Sequence, residues 1–190
     1  MNPGFNVETH ERYAICNALN MKLPAAFIKG SDQINVIIET PKGCGNKYAF
    51  DFATGLFKLS KILPEGMVFP AHFGFIPDTR GDDGDPLDAL VFMDEMAYPG
   101  NLVECRVLGI IEAKQVEHSG RTLRNDRIIT AAKLSKRYLQ FESLKSMDSN
   151  LLDEVTKFFI TYNAVGNKRF TPLAYRGPSK ALKVIKKHMQ

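Results

Sequence analysis

Seven short apolar runs, cut apart by Gly, Pro, Asn and Asp, constrain the fold of this chain more than any other feature. They read as strands at Asn35–Thr40, Lys47–Phe52, Leu56–Ile62, Val68–Ile76, Ala89–Met93, Leu102–Val116 and Arg127–Ala132. Thr54-Gly55 and Ser119-Gly120 fall between runs and read as hairpin turns. Many short strands at this spacing favour a β-barrel over a doubly wound sheet. Helical periodicity appears late, where Leu151, Leu152, Val155, Phe158, Phe159 and Tyr162 recur near the helical repeat and Ser149 or Asn150 can cap the start. A second helix is expected over Ser179–His188, with Leu182 and Ile185 inward and Pro178 at its entrance. An amino-terminal helix is expected around Glu8–Leu19. The expected architecture is mainly β with flanking α-helices, a single domain over 1–190: an extension at 1–34, a barrel core at 35–133 and carboxy-terminal helices at 134–190.

The 190 residues can bury a sizeable core without disulfides or structural metals. Cys16, Cys44 and Cys105 are odd in number and far apart, which suggests a reducing compartment and neither a disulfide framework nor a zinc site. The longest apolar run, Ala89 to Met93, is far short of the roughly 18 residues of a membrane span. Residues 1–20 show no secretory signal pattern, and the cytoplasm is expected. The net charge of +4 is uneven: 13 Lys/Arg against 17 Asp/Glu before residue 133, and 12 against 4 from there on. A basic third can mark a nucleic-acid or phosphate partner. Lys180, Lys183, Lys186 and Lys187 read instead as a solvated helix face.

Against this basic balance, Asp82-Asp83-Gly84-Asp85-Pro86-Leu87-Asp88 packs four carboxylates into seven residues. Such crowding is unfavourable unless cations or many hydrogen-bond donors neutralise it, and oxygen-only ligands suit Mg²⁺, Mn²⁺ or Ca²⁺. Gly84 permits a left-handed turn and Pro86 holds Asp85 extended, so the chain itself aims the carboxylates. The twelve-residue calcium loop does not fit, because Arg80 and Asp83 stand where an acid and a glycine are required. The ordinary alternative is a solvated acidic turn with Asx-type capping.

The order of motifs carries more. Asp83-Gly84-Asp85-Pro86-Leu87-Asp88 is preceded by Val36-Ile37-Ile38-Glu39-Thr40-Pro41, Asn46-Lys47-Tyr48 and Phe69-Pro70-Ala71-His72-Phe73-Gly74-Phe75-Ile76. It is followed by Leu134-Ser135-Lys136 and by Phe158-Phe159 with Tyr162. From about Asn35 to Asn167 the chain resembles the soluble family I inorganic pyrophosphatases. The resemblance implies an OB-like five-stranded β-barrel flanked by helices. It also implies Mg²⁺-dependent splitting of pyrophosphate into two phosphates in the cytoplasm, with Mn²⁺ as a substitute, and a homo-oligomer, in bacterial members commonly a hexamer. By the same resemblance Asp83 and Asp88 are metal ligands, Asp85 is a ligand or the base that takes the water proton, and Glu39 sits at the metal-rich mouth. Lys47, Lys61 and Arg127 fall at phosphate-binding positions, and Tyr162 bonds the leaving phosphate.

Departures from the family pattern gather at these same positions. Ala49 stands where the family carries a glutamate, Lys61 where it carries an arginine, and Phe69 and Phe73 where it carries tyrosines. Gln115 and Asn125 align with two aspartates, Arg127 with a lysine, and Asn163 with a second phosphate lysine. Glu117, on the same strand face as Gln115, is a substitute carboxylate, whereas Asp126 and Asn125 must point to opposite faces. Restoring carboxylates with Ala49→Glu and Asn125→Asp is expected to tighten metal binding, Asp82 is expected to face solvent, and loss of Asp88 is expected to relieve repulsion in the metal-free loop. Two enzymatic outcomes follow: a pyrophosphatase of reduced or altered activity, or a hydrolase of another phosphoanhydride such as an organic diphosphate or nucleotide. The alternative from another class is a catalytically weak OB-like module binding phosphate or nucleic acid. Phe69, Phe73 and Phe75 alternate as core residues do, which makes a nucleic-acid partner the weaker reading.

Overall fold

The computed structural model describes residues 23–190, so the expected helix at Glu8–Leu19 and Cys16 lie outside the described residues. Among the described residues nine strands form: β1 (Ile34–Thr40), β2 (Asn46–Asp51), β3 (Leu56–Ile62), β4 (His72–Phe75), β5 (Asp88–Phe92), β6 (Leu102–Val116), β7 (Thr122–Arg124), β8 (Arg127–Ala132) and β9 (Arg169–Arg176). Two α-helices follow the barrel strands, α1 (Ser149–Val165) and α2 (Pro178–Lys187). The order β1-β4-β5-β8-β6 closes on itself because β6 also pairs with β1, giving the expected OB-like ring of five strands. Neighbours in the ring run antiparallel except β5 and β8, which are parallel in the register Ala89↔Ile128. β7 and β9 extend the sheet from β6, and β2 and β3 form a separate hairpin.

β5 and β8 are buried on both faces, which explains why they read as unbroken apolar runs without alternation. Leu90, Phe92, Ile129 and Ala131 enter one apolar cluster, under Val155, Phe159 and Tyr162 of α1. Ala89, Val91 and Ile128 enter the other, under Ala181 and Ile185 of α2. β1 and β4 approach closely at Gly74, where an added Cβ would stand 2.0 Å from the Ile37 carbonyl oxygen.

Several elements depart from expectation. The run Val68–Ile76 yields a strand only from His72, because Pro70 lacks an N–H and the backbone of Phe69 is used by Gly43 and Cys44. β9 was not expected, since Pro172 interrupts it; the proline is tolerated next to a β9 bulge at Leu173, left unpaired between Ala174↔Glu112 and Pro172↔Ala113. Asp148, one residue before the expected caps, accepts the Asn150 N–H at 2.8 Å and starts α1. The basic third is extensively paired: Lys168 with Glu117, Arg176 and Lys180 with Glu112, and Lys186 with Asp32. No helix among the described residues is long and apolar enough to cross a membrane.

Candidate active site

The acidic loop between β4 and β5 is closed by backbone bonds before its carboxylates are considered. Ile76 N–H donates to Leu87 O, Gly81 N–H to Asp85 O and Gly84 N–H to Gly81 O, while the Thr79 hydroxyl bonds Ile76 O and accepts Leu87 N–H. Gly84 adopts φ of 91°, the left-handed turn its position requires. The carboxy terminus ties the loop down, with Arg80 N–H on His188 O and Gln190 N–H on Asp78 O. Asp82 is exposed and faces the His188 ring at 3.6 Å. Asp83 accepts Asp85 N–H at 3.2 Å. Lost hydration, then the nearby Asp88 and Asp85, raise the Asp83 carboxyl to about 6.

A cleft of about 250 Å³ opens beside this loop, lined by Glu39, Lys47, Asp85 and Asp88 on its polar side and by Ala49, Phe50, Phe52, Phe75 and Pro86 on its apolar side. Glu39, at the end of β1, is 8% exposed and accepts Phe50 N–H at 2.7 Å. Burial raises its carboxyl to about 7 against the opposing pull of that bond and of Lys47. Burial weakens the Lys47 ammonium, but Tyr162, Asp88 and Glu39 outweigh it and hold Lys47 above the usual lysine range. Asp51 also reaches the cleft and was not anticipated. It shares a strand face with Lys47 and Ala49, but Lys58 and the Ala53 N–H engage it and lower it to about 2. That two-residue spacing was the signal available in the sequence.

Beneath the cations lies an aromatic floor. Lys61 Nζ sits 4.5 Å from the centre of the Tyr162 ring, and Lys47 Nζ lies 5.3 Å from Phe73 and 5.9 Å from Tyr162. Phe69 and Phe73 are buried in contact with each other and with α1, as core rings. Asn163 turns back into α1, donating to Phe159 O at 2.8 Å, and offers nothing to the cleft.

The parallel register of β5 and β8 sets Asp88 and Arg127, each the first residue of its strand, side by side. Arg127 Nη1 meets Asp88 Oδ2 at 2.6 Å and also contacts Asn125 Oδ1 and Asp126 O. Asn125 donates onward to Gln115 at 3.0 Å, Gln115 to Glu117, and Glu117 ends on Lys168 at 2.6 Å. Lys168, with a smaller contribution from Gln115, lowers the Glu117 carboxyl. Asp126 turns elsewhere, to the Ala113 N–H and Arg124. Among the described residues no three carboxylate, imidazole or thiol groups are gathered around one point as ligands of a single ion.

A five-strand ring whose rim sets carboxylates against lysines and a buried guanidinium defines an OB-like barrel with a charged mouth. This chain belongs to the inorganic pyrophosphatase family, whose model matches residues 36–190. It is 33% identical to an inorganic pyrophosphatase of Synechocystis over 80% of this chain and 87% of that protein. With one of Halalkalibacterium halodurans it shares 34% identity over 80% of this chain and 90% of the relative. Among solved structures, the inorganic pyrophosphatase of Thermus thermophilus superposes with a TM-score of 0.79 at 30% identity, covering 87% of this chain and 93% of that one. One from Coxiella burnetii gives 0.78 at 32% identity, covering 87% and 97%.

Proposed function

We propose that the protein hydrolyses inorganic pyrophosphate to two phosphates with the help of Mg²⁺, which Mn²⁺ can replace. The observation that carries this reading is the cleft in which Glu39, Asp85 and Asp88 face Lys47, with Asp83 beside Asp88. The donor set fits such ions: it is oxygen only, and the desolvated Asp83 and Glu39 carboxyls stand close to Asp85 and Asp88, whose like charges a cation would offset. A bound cation there would neutralise phosphate charge and acidify a water. Asp83, Asp88 and Glu39 would hold the ions, and Asp85, a further ligand or the base, would orient the attacking water and take its proton. Lys47 and Lys61 bind phosphate, Arg127 stands behind Asp88 on the positive side, and the Tyr162 hydroxyl bonds the leaving phosphate.

The unit that does this is the single domain of 1–190, with 1–34 as an extension. A homo-oligomer, as large as a hexamer, follows from the family resemblance alone, and light scattering at 21.3 kDa over all concentrations would refute it. Free Cys44 and Cys105 suit the cytoplasm. The apolar wall of Phe50, Phe52, Phe75 and Ala49 favours a second substrate class, organic diphosphates, whose carbon portion it would cover. Phosphate release is measured from pyrophosphate and from nucleoside di- and triphosphates, each with Mg²⁺ and with excess chelator. Release from pyrophosphate that persists undiminished in chelator refutes the metal-dependent reading, and release only from the nucleotides selects the second class.

A further inference from the structure

The orientation of every polar group between Asp88 and Lys168 follows from the charges at the two ends of the chain of hydrogen bonds. Arg127 has only donors, so Asn125 must turn its amide oxygen toward it and its NH₂ toward Gln115. Gln115 must then accept with its oxygen and donate its NH₂ to Glu117, whose other oxygen is held by Lys168. The amide oxygens of Asn125 and Gln115 are therefore each oriented along the chain and already accept one hydrogen bond.

Arg127 itself is fixed. It is 4% exposed, and its guanidinium carbon lies 4.8 Å from the Phe159 ring centre and 5.4 Å from that of Phe170. A guanidinium so packed cannot swing out to make way for an ion. Its Nη1 occupies Asp88 Oδ2 at 2.6 Å, on the side of Asp88 that faces β6 and β8. A divalent ion approaching from that side meets a fixed like charge instead of ligands.

We propose that Arg127 is a built-in cation that takes the place of one divalent ion on the β6–β8 side of the mouth, leaving the acidic-loop side as the metal-binding half. The proposal rests on the reading of Asp88 as a metal ligand. It also revises an earlier expectation: an aspartate placed at Asn125 would be captured by Arg127 and would add no ion while that arginine remains.

The test counts Mn²⁺ bound to metal-free full-length protein by electron paramagnetic resonance and reads melting temperature with and without Mn²⁺, so that no substrate is involved. Arg127→Gln is expected to bind at least one further Mn²⁺ per chain, or to bind Mn²⁺ at least tenfold more tightly. Its melting temperature should fall without metal and rise further than wild type on Mn²⁺ addition. Asn125→Asp alone should keep the wild-type count, and Asn125→Asp with Arg127→Gln should exceed it. Asn125→Asp is decisive even if Arg127→Gln does not fold, because an added ion in that single variant overturns the proposal. Equal Mn²⁺ binding by wild type and Arg127→Gln overturns it as well and leaves the metal-dependent reading standing. Absence of Mn²⁺ binding in wild type and all variants overturns that reading and this inference with it.

Discussion

Glu39→Gln isolates the electrostatic cost of the mouth. Burial raises the Glu39 carboxyl from its ordinary 4.5 to about 7, and a carboxyl raised by folding holds its proton more tightly in the folded chain than in the unfolded one. Its contribution to stability is complete below 4.5 and is lost as pH climbs through about 7. At about 1.36 kcal/mol per pH unit the difference is worth about 3 kcal/mol. Glutamine keeps an oxygen for the Phe50 N–H and carries no charge. In chelator the variant should match wild type near about pH 4.5 and exceed it by up to about 3 kcal/mol near about pH 8. Asp83, raised to about 6, bends both curves in the same sense and cancels in the comparison. Urea unfolding of metal-free protein across this range measures the gap, and added Mg²⁺ should shrink it by favouring the ionised carboxylate. A gap that does not change with pH, or a wild type more stable than the variant at the alkaline end, would refute the reasoning.

Asp88→Asn should lower pyrophosphate turnover by at least about 100-fold. It should also lower the metal-free melting temperature, because Arg127 loses its counter-ion and a broken buried pair costs about 3–5 kcal/mol; this reverses the relief expected from crowding alone. Asp82→Asn, at an exposed carboxylate turned toward His188, should leave turnover unchanged, and a loss as deep as that of Asp88→Asn would mean the loop is only a structural turn. Gly74→Ala should cost more than about 4 kcal/mol, since its Cβ collides with Ile37 O, and a melting temperature near wild type would show that β1 and β4 can separate. Phe159→Ala should cost about 3–5 kcal/mol in urea unfolding, removing a buried ring that packs on Phe73, Phe158 and Phe170 and carries Arg127. A loss under about 1 kcal/mol would show that the cluster collapses into the gap.

The strands legible from sequence were those where apolar pattern and turn chemistry agree. Leu56–Ile62, Leu102–Val116 and Arg127–Ala132 have the bounds read from the residues alone. β9 was hidden because Pro172 argues against a strand, and β9 accommodates it beside a bulge of its own at Leu173. In the mouth, Glu39, Lys47 and Asp88 were found through motif order, and they do line one cleft. Pairing of Asp88 with Arg127 was not legible, because it depends on β5 and β8 lying parallel and in register, a property of topology that no local pattern encodes. Asp51 was not legible as a cleft residue although it stands two residues beyond Ala49 on the same face, because a strand-end aspartate beside a turn reads equally as a turn residue.

The parallel pairing of β5 with β8 also puts events in order in time. A chain made from its amino terminus exposes Asp82 to Asp88 while β6, β7 and Arg127 are still unmade, so the acidic loop first meets the cations of the surrounding solution. Until β8 arrives, β5 has an unpaired edge and Asp88 lacks its permanent partner. Closing the ring then joins Ile34 to Cys105 and Ala89 to Ile128, contacts distant in sequence that form slowly. If the loop binds divalent ions as proposed, such ions would shield its carboxylates before Arg127 is made, and the yield of folding during synthesis, as distinct from final stability, should depend on their concentration.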